Sequence, residues 1–154
     1  MKKLLAILLS AAILLSFAAC GDGGKKDDPN LLKIGDYEAL YTGCEIVKDY
    51  DGDDTVVINF TFTNNSKEAQ SFEWAYYYEV KQGGEELDYA VVFVSEDSYD
   101  TLDDSMLEDV EPGQSKDIQM TYKLKDLTTN VVVEVSDLYD EETDSVTIDL
   151  STAK

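Results

Sequence analysis

The chain has 154 residues, and its 33 acidic residues against 12 lysines give a formal net charge of −21 at pH 7. It contains no histidine and no arginine, which excludes Ser-His or Cys-His catalysis, histidine metal sites and guanidinium clamps for phosphate. A strongly acidic chain is also repelled by nucleic acid, so we expect no nucleic-acid partner.

The first twenty residues have the pattern of an export signal. Lys2 and Lys3 precede an uncharged run over residues 4–19, which is short for a membrane-spanning helix but typical of a signal peptide. The run ends in Ala18-Ala19-Cys20, which resembles the bacterial lipobox, where the cysteine is lipidated and the chain is cleaved before it. We therefore predict a signal peptide over residues 1–19, a lipidated Cys20 with a flexible tether to residue 30, and one domain over residues 31–154. The alternative is ordinary cleavage after Ala19, which would leave a free secreted protein.

Alternation of apolar and polar residues with a period of two predicts β-strands in the rest of the chain. The pattern covers residues 55–64, 72–81, 115–125 and 145–150. Residues 87–94 and 131–135 are more continuously apolar and are predicted to be central strands, and residues 37–50 supply one or two more. Turn signals separate the strands, and no segment predicts a long amphipathic helix. An antiparallel β-sandwich of about seven to nine strands is the predicted fold.

The same alternation assigns aromatic residues to faces. Phe60 and Trp74 lie on the apolar faces of two predicted strands, so we expect both in the core. Tyr77 points the other way and is a candidate for exposed binding of a ligand. Tyr99, in the acidic connection over residues 95–104, is the second such candidate.

Residues 34–139 resemble the domain-of-unknown-function family DUF5067, which occurs in lipoproteins of Gram-positive bacteria. The resemblance is carried by residues 48–52 (KDYDG), 62–66 (FTNNS), 71–74 (SFEW), 82–87 (QGGEEL), 111–113 (EPG) and 122–126 (YKLKD). It implies an immunoglobulin-like β-sandwich similar to that of a secreted immunoprotective antigen of mycobacteria. It implies no activity, because the family offers no catalytic residues to transfer to this sequence.

Residues 49–54 form the best candidate metal loop. Asp49, Asp51 and Asp53 alternate like the first oxygen ligands of a Ca²⁺-binding EF-hand. Position 12 of such a loop is Phe60 here, where an EF-hand has glutamate, and no predicted helices flank the loop. The alternative is a hairpin turn in which Asp51-Gly52 supplies the positive φ. Acidic residues at 95–104 and 137–144 similarly indicate either cation or partner binding, or a solvated surface.

These patterns favour a non-enzymatic lipoprotein anchored on the outer side of the cell membrane, with a binding or structural module. We expect a monomer whose ligand is a protein, a glycan or a small molecule of the cell envelope. The alternative function is a surface protein that binds Ca²⁺ through its acidic loops; otherwise we expect no cofactor. Cys44, the only cysteine apart from Cys20, is expected to be a buried free thiol; the alternative is a disulfide between two chains.

Overall fold

The computed structural model describes residues 28–139 and 141–154. The predicted signal peptide, Cys20 and most of the predicted tether lie outside these residues. Within these described residues there are eight strands: β1 (Leu31–Ile34), β2 (Tyr37–Lys48), β3 (Asp54–Asn64), β4 (Tyr77–Gln82), β5 (Glu85–Glu86), β6 (Ser115–Lys123), β7 (Val131–Ser136) and β8 (Thr143–Ile148). Helix α1 spans Phe72–Ala75, and 3₁₀ turns span Leu102–Leu107 and Leu150–Thr152. Within the two described ranges, no helix has the length and apolar character needed to span a bilayer.

The strands form two four-stranded sheets, with the orders β1-β2-β3-β6 and β5-β4-β7-β8. All neighbouring strands are antiparallel, which confirms the predicted all-β sandwich. The order matches an immunoglobulin-type arrangement, in which β2, β3 and β6 take the places of strands A, B and E. Strands β5, β4, β7 and β8 then take the places of C′, C, F and G. Strand β1 is an additional edge strand.

Strand β3 supplies the centre of the core. Its side chains at Val56, Ile58, Phe60 and Phe62 are all 0% exposed, as its alternation predicts. The rings of Phe60 and Phe72 stack with centroids 6.3 Å apart. Cys44 is buried, as predicted, and forms no disulfide with another of the described residues.

The predicted strand over residues 72–81 is wrong in its first half, because Phe72–Ala75 is a single turn of helix. The turn is closed by the Ala75 N–H, which donates to the Ser71 carbonyl over 3.0 Å. Residues two apart face different directions on a helix but the same direction on a strand. Phe72 is therefore buried, whereas Trp74 is 75% exposed, and the prediction that Trp74 belongs to the core is wrong.

The predicted central strand over residues 87–94 is also wrong, since only isolated bridges occur there. This segment instead follows the outer edge of β6, where the Ala90 N–H donates to the Thr121 carbonyl over 3.1 Å. An apolar run does not by itself distinguish a central strand from a segment that covers a sheet edge. Covering the edge keeps its free backbone groups from pairing with another chain.

Candidate functional site

The predicted metal loop is a tight turn between β2 and β3. The Asp49 side chain is only 1% exposed, and its Oδ1 accepts hydrogen bonds from the N–H groups of Asp51 (3.0 Å) and Asp53 (2.8 Å). Gly52 occupies the turn with φ +88°, a conformation that favours glycine. The turn brings carboxylate oxygens of all three aspartates within 4.8 Å of one another.

The ammonium group of Lys123 lies among these carboxylates. Its Nζ is 3.2 Å from Oδ2 of Asp49, 3.1 Å from Oδ2 of Asp51 and 2.9 Å from Oδ2 of Asp53. Burial raises the pKa of Asp49, but hydrogen bonds from the Asp53 backbone and from Lys123 outweigh it and lower that pKa below its usual value. The turn therefore contains its own cation, which a metal ion would have to displace.

Sequence reasoning missed Lys123 because it is distant along the chain. The residue ends β6, where it pairs with Thr55 at the start of β3. This pairing places its side chain beside the turn that precedes β3. The alternation in the two strands indicated their faces but not their mutual register, so no sequence signal connected Lys123 with the aspartates.

Tyr77, the sequence-based candidate for exposed binding, begins β4 and is 59% exposed. It lines two cavities. One, of about 790 Å³, lies along β4, β7 and β8 and is called here the outer-sheet cavity; acidic side chains in it include Glu79 and Glu134. Both of these carboxylates are already paired with Lys81.

The second cavity, of about 580 Å³, is called here the tyrosine cleft. Its aromatic lining comes from Tyr76, Tyr77, Tyr78, Tyr89 and Tyr122, and its carboxylates belong to Glu73, Glu86 and Asp88. Its volume lies in the range of small-molecule binding sites. The cleft is thus an aromatic and acidic cavity to which α1, β4, β5 and β6 each contribute.

Two contacts set the shape of the tyrosine cleft. The hydroxyl of Tyr78 donates to Oε2 of Glu73 over 2.6 Å, and the rings of Tyr89 and Tyr122 meet edge to face with centroids 5.2 Å apart. Burial, followed by the hydrogen bond to Glu73, raises the pKa of Tyr78 above its ordinary value. The Tyr78 phenol is therefore neutral at physiological pH and keeps the Glu73 carboxylate in place.

Tyr99, the second sequence-based candidate, is 97% exposed. It lines neither the outer-sheet cavity nor the tyrosine cleft. Of the two candidates, therefore, Tyr77 alone lines the outer-sheet cavity and the tyrosine cleft. The carboxylates and buried tyrosines beside Tyr77 were not identified from the sequence, because they come from four elements whose packing the strand pattern does not indicate.

Comparison with known proteins supports the fold. The sequence matches the family described as a domain of unknown function (DUF5067) over residues 22–137. The fold is similar to that of a candidate lipoprotein from Staphylococcus aureus (TM-score 0.65, 15% identity), with 84% of this chain and 94% of that one covered. It is also similar to a protein from Enterococcus faecalis (TM-score 0.54, 22% identity; 79% and 91% covered). A β-sandwich protein from Clostridium difficile is a further match (TM-score 0.50, 13% identity; 83% and 98% covered). No curated protein matches the chain.

Proposed function

Because this chain belongs to the DUF5067 family and its fold is similar to that of a candidate lipoprotein of Staphylococcus aureus, we propose that it is a lipoprotein anchored outside the cell membrane. In this proposal the lipid is attached to Cys20, and the sandwich is a non-enzymatic module that binds a component of the cell envelope. The sequence Ala18-Ala19-Cys20 after an uncharged run supports the anchor. The absence of histidine and arginine from the sequence supports binding over catalysis.

The observation that carries the binding proposal is the position of Tyr77. This side chain is exposed and lines both the outer-sheet cavity and the tyrosine cleft. A tyrosine combines a large apolar ring with a polar hydroxyl and few rotatable bonds, so it is common at binding surfaces. We therefore place the ligand contact at Tyr77 and the cavities on either side of it.

The test compares Tyr77→Ala with Tyr99→Ala, a matched control that removes another exposed tyrosine outside both cavities. The purified full-length chain in detergent is mixed with cell envelopes from a strain lacking the protein, and the bound fraction is measured. We expect Tyr77→Ala to reduce binding and Tyr99→Ala to leave it unchanged. Equal binding by wild type and both variants would contradict the proposal.

The second candidate function is Ca²⁺ binding at residues 49–54. Its support is the convergence of Asp49, Asp51 and Asp53, whose carboxylate oxygens lie within 4.8 Å of one another. Oxygen ligands suit this ion. The Lys123 ammonium competes with Ca²⁺ for the same oxygens, which makes this the weaker of the two candidates.

A further inference from the structure

We infer that the tyrosine cleft binds an organic cation, namely a primary alkylammonium or guanidinium group such as that of a lysine or arginine side chain in a peptide. This inference rests on the proposed binding function and specifies the class of ligand. It depends on three features of the cleft: its charge, its aromatic lining and the availability of its carboxylates.

The charge of the cleft is negative throughout. Glu73, Glu86 and Asp88 line it, and among the described residues its lining includes no lysine. The chain also has no arginine or histidine. The lining therefore contains no basic side chain that could offset these carboxylates. An entering cation is therefore favoured over an anion or a neutral group.

Two of the three carboxylates are available to a ligand. Nearby lysines are engaged elsewhere: Lys81 pairs with Glu79 and Glu134, and Lys125 pairs with Glu85. Within residues 28–139 and 141–154, neither Glu86 nor Asp88 forms a salt bridge. An ammonium group in the cleft would therefore gain carboxylate partners without breaking an existing ion pair.

The aromatic lining explains why the ligand is an organic cation. Tyrosine rings attract ammonium and guanidinium groups through their negative faces, and they also contact the alkyl part of such a ligand. Tyr89 is 46% exposed and packs against the almost fully buried Tyr122, so one ring is accessible and the other supports it. A bare metal ion would make no use of this apolar surface.

The test uses a peptide probe, acetyl-Gly-Lys-Gly-amide, and the full-length chain with ¹³C-labelled tyrosine rings. Binding is followed by NMR in about 0.1 M NaCl, where the Debye length of about 10 Å screens the long-range field of the acidic protein. We expect saturable changes in the chemical shifts of the Tyr78, Tyr89 and Tyr122 rings, and no change for the exposed Tyr99. The same peptide with an acetylated lysine Nε should cause no shifts.

Matched variants separate the cleft from the general negative charge. Glu86→Gln/Asp88→Asn and the control Glu96→Gln/Asp97→Asn remove the same charge, but the control residues lie outside the cleft. Glu73, which accepts the Tyr78 hydroxyl, is left unchanged. We expect the cleft variant to raise the Kd of the lysine peptide about tenfold, because two exposed charge pairs together contribute about this factor. The control variant should change the same Kd less than twofold.

Equal weakening by both variants, or equal binding of the acetylated peptide, would overturn the inference. A titration with butylamine distinguishes two sources of the same chemistry. If butylamine binds as tightly as the lysine peptide, the ligands of the cleft are small amines; if it binds more weakly, they are peptides. Both results support a cationic ligand. If the peptide does not bind while Tyr77→Ala still loses binding to envelopes, the ligand class is wrong and the proposed function stands.

Discussion

The ammonium nitrogen of Lys123 lies 3.2 Å from Oδ2 of Asp49, a side chain that is only 1% exposed. Lys123 also contacts Asp51 and Asp53, which are 66% and 60% exposed. A loop whose sequence resembles the start of a metal site is thus neutralised in part by a lysine from another strand. Because the buried Asp49 also accepts two backbone N–H groups, the lysine joins the end of β6 to the turn between β2 and β3.

Replacing this lysine should destabilise the fold. In Lys123→Met, three carboxylates within 4.8 Å of one another lose their shared cation, and one of them is buried, which is an unfavourable place for an uncompensated charge. Lys48→Met is the control, since Lys48 pairs at 2.8 Å with a partly exposed Asp54 and such surface pairs contribute about 0–1 kcal/mol. We expect a clearly larger fall in the urea midpoint for Lys123→Met. Equal midpoints would show that the cluster does not depend on Lys123.

The same substitution should increase the response to Ca²⁺. With the ammonium removed, the aspartate oxygens become free to bind a divalent cation, and a ligand of the native state raises its stability. Thermal unfolding is compared in millimolar CaCl₂ and in NaCl of equal ionic strength. We expect a Ca²⁺-specific rise in Tm that is larger in Lys123→Met than in wild type. A large, saturable rise in wild type, abolished by Asp51→Asn, would instead favour the Ca²⁺-binding function.

Asp126 should make stability depend on pH in the acid range. Its Oδ1 accepts the N–H groups of Thr128 (2.7 Å) and Thr129 (2.6 Å). These bonds, that from Thr129 first, lower the pKa of Asp126 to about 2. Because the folded pKa is below the unfolded value of about 3.9, the stabilisation is present above that value and is lost as the pH falls toward 2.

The variant Asp126→Asn tests this linkage, because its amide oxygen can still accept both N–H groups while the charge is absent. Urea unfolding of wild type and variant is compared from pH 7 to pH 2. We expect wild type to be more stable by a constant amount from pH 7 to about 5, with the difference shrinking between about 4 and 2. A difference independent of pH across the whole range would show that the charge is not responsible.

The helix turn that replaces the predicted strand yields a paired prediction. Phe72 is 0% exposed and contacts Phe60, Phe62 and Tyr76, so Phe72→Ala should cost about 3–5 kcal/mol through lost burial and a cavity. Trp74→Ala, two residues away but 75% exposed, should cost much less. The free energies of unfolding in urea give both values. Similar losses for the two variants would contradict the helical assignment.

The sequence allowed the sandwich to be predicted wherever one face of a strand is buried, as in β3 and β6. The strand prediction failed at Phe72–Ala75, because one helical turn is too short to produce a recognisable 3.6-residue repeat. The exposure of Tyr77 could be predicted from alternation alone. The tyrosine cleft and the position of Lys123 depend on register and on contacts between the sheets, which local patterns do not determine.

The lipid anchor is tested by Cys20→Ser, since a serine hydroxyl cannot take the place of the thiol in lipidation. We expect the variant to move from the membrane fraction to the medium, or to accumulate as an uncleaved precursor. Fractionation and immunoblotting of cells expressing each form, with Cys44→Ser as the control, provide the measurement. Identical distribution and migration of wild type and Cys20→Ser would exclude the anchor.

Oxidative footprinting of tyrosines tests the proposal that the surface around Tyr77 contacts a ligand of the cell envelope. Labelling is measured by mass spectrometry in the purified protein and on intact cells, with the 97% exposed Tyr99 as the internal reference. We predict that labelling of Tyr77 relative to Tyr99 falls clearly on intact cells, because the ligand covers Tyr77. The same ratio in both samples would contradict a ligand contact at Tyr77.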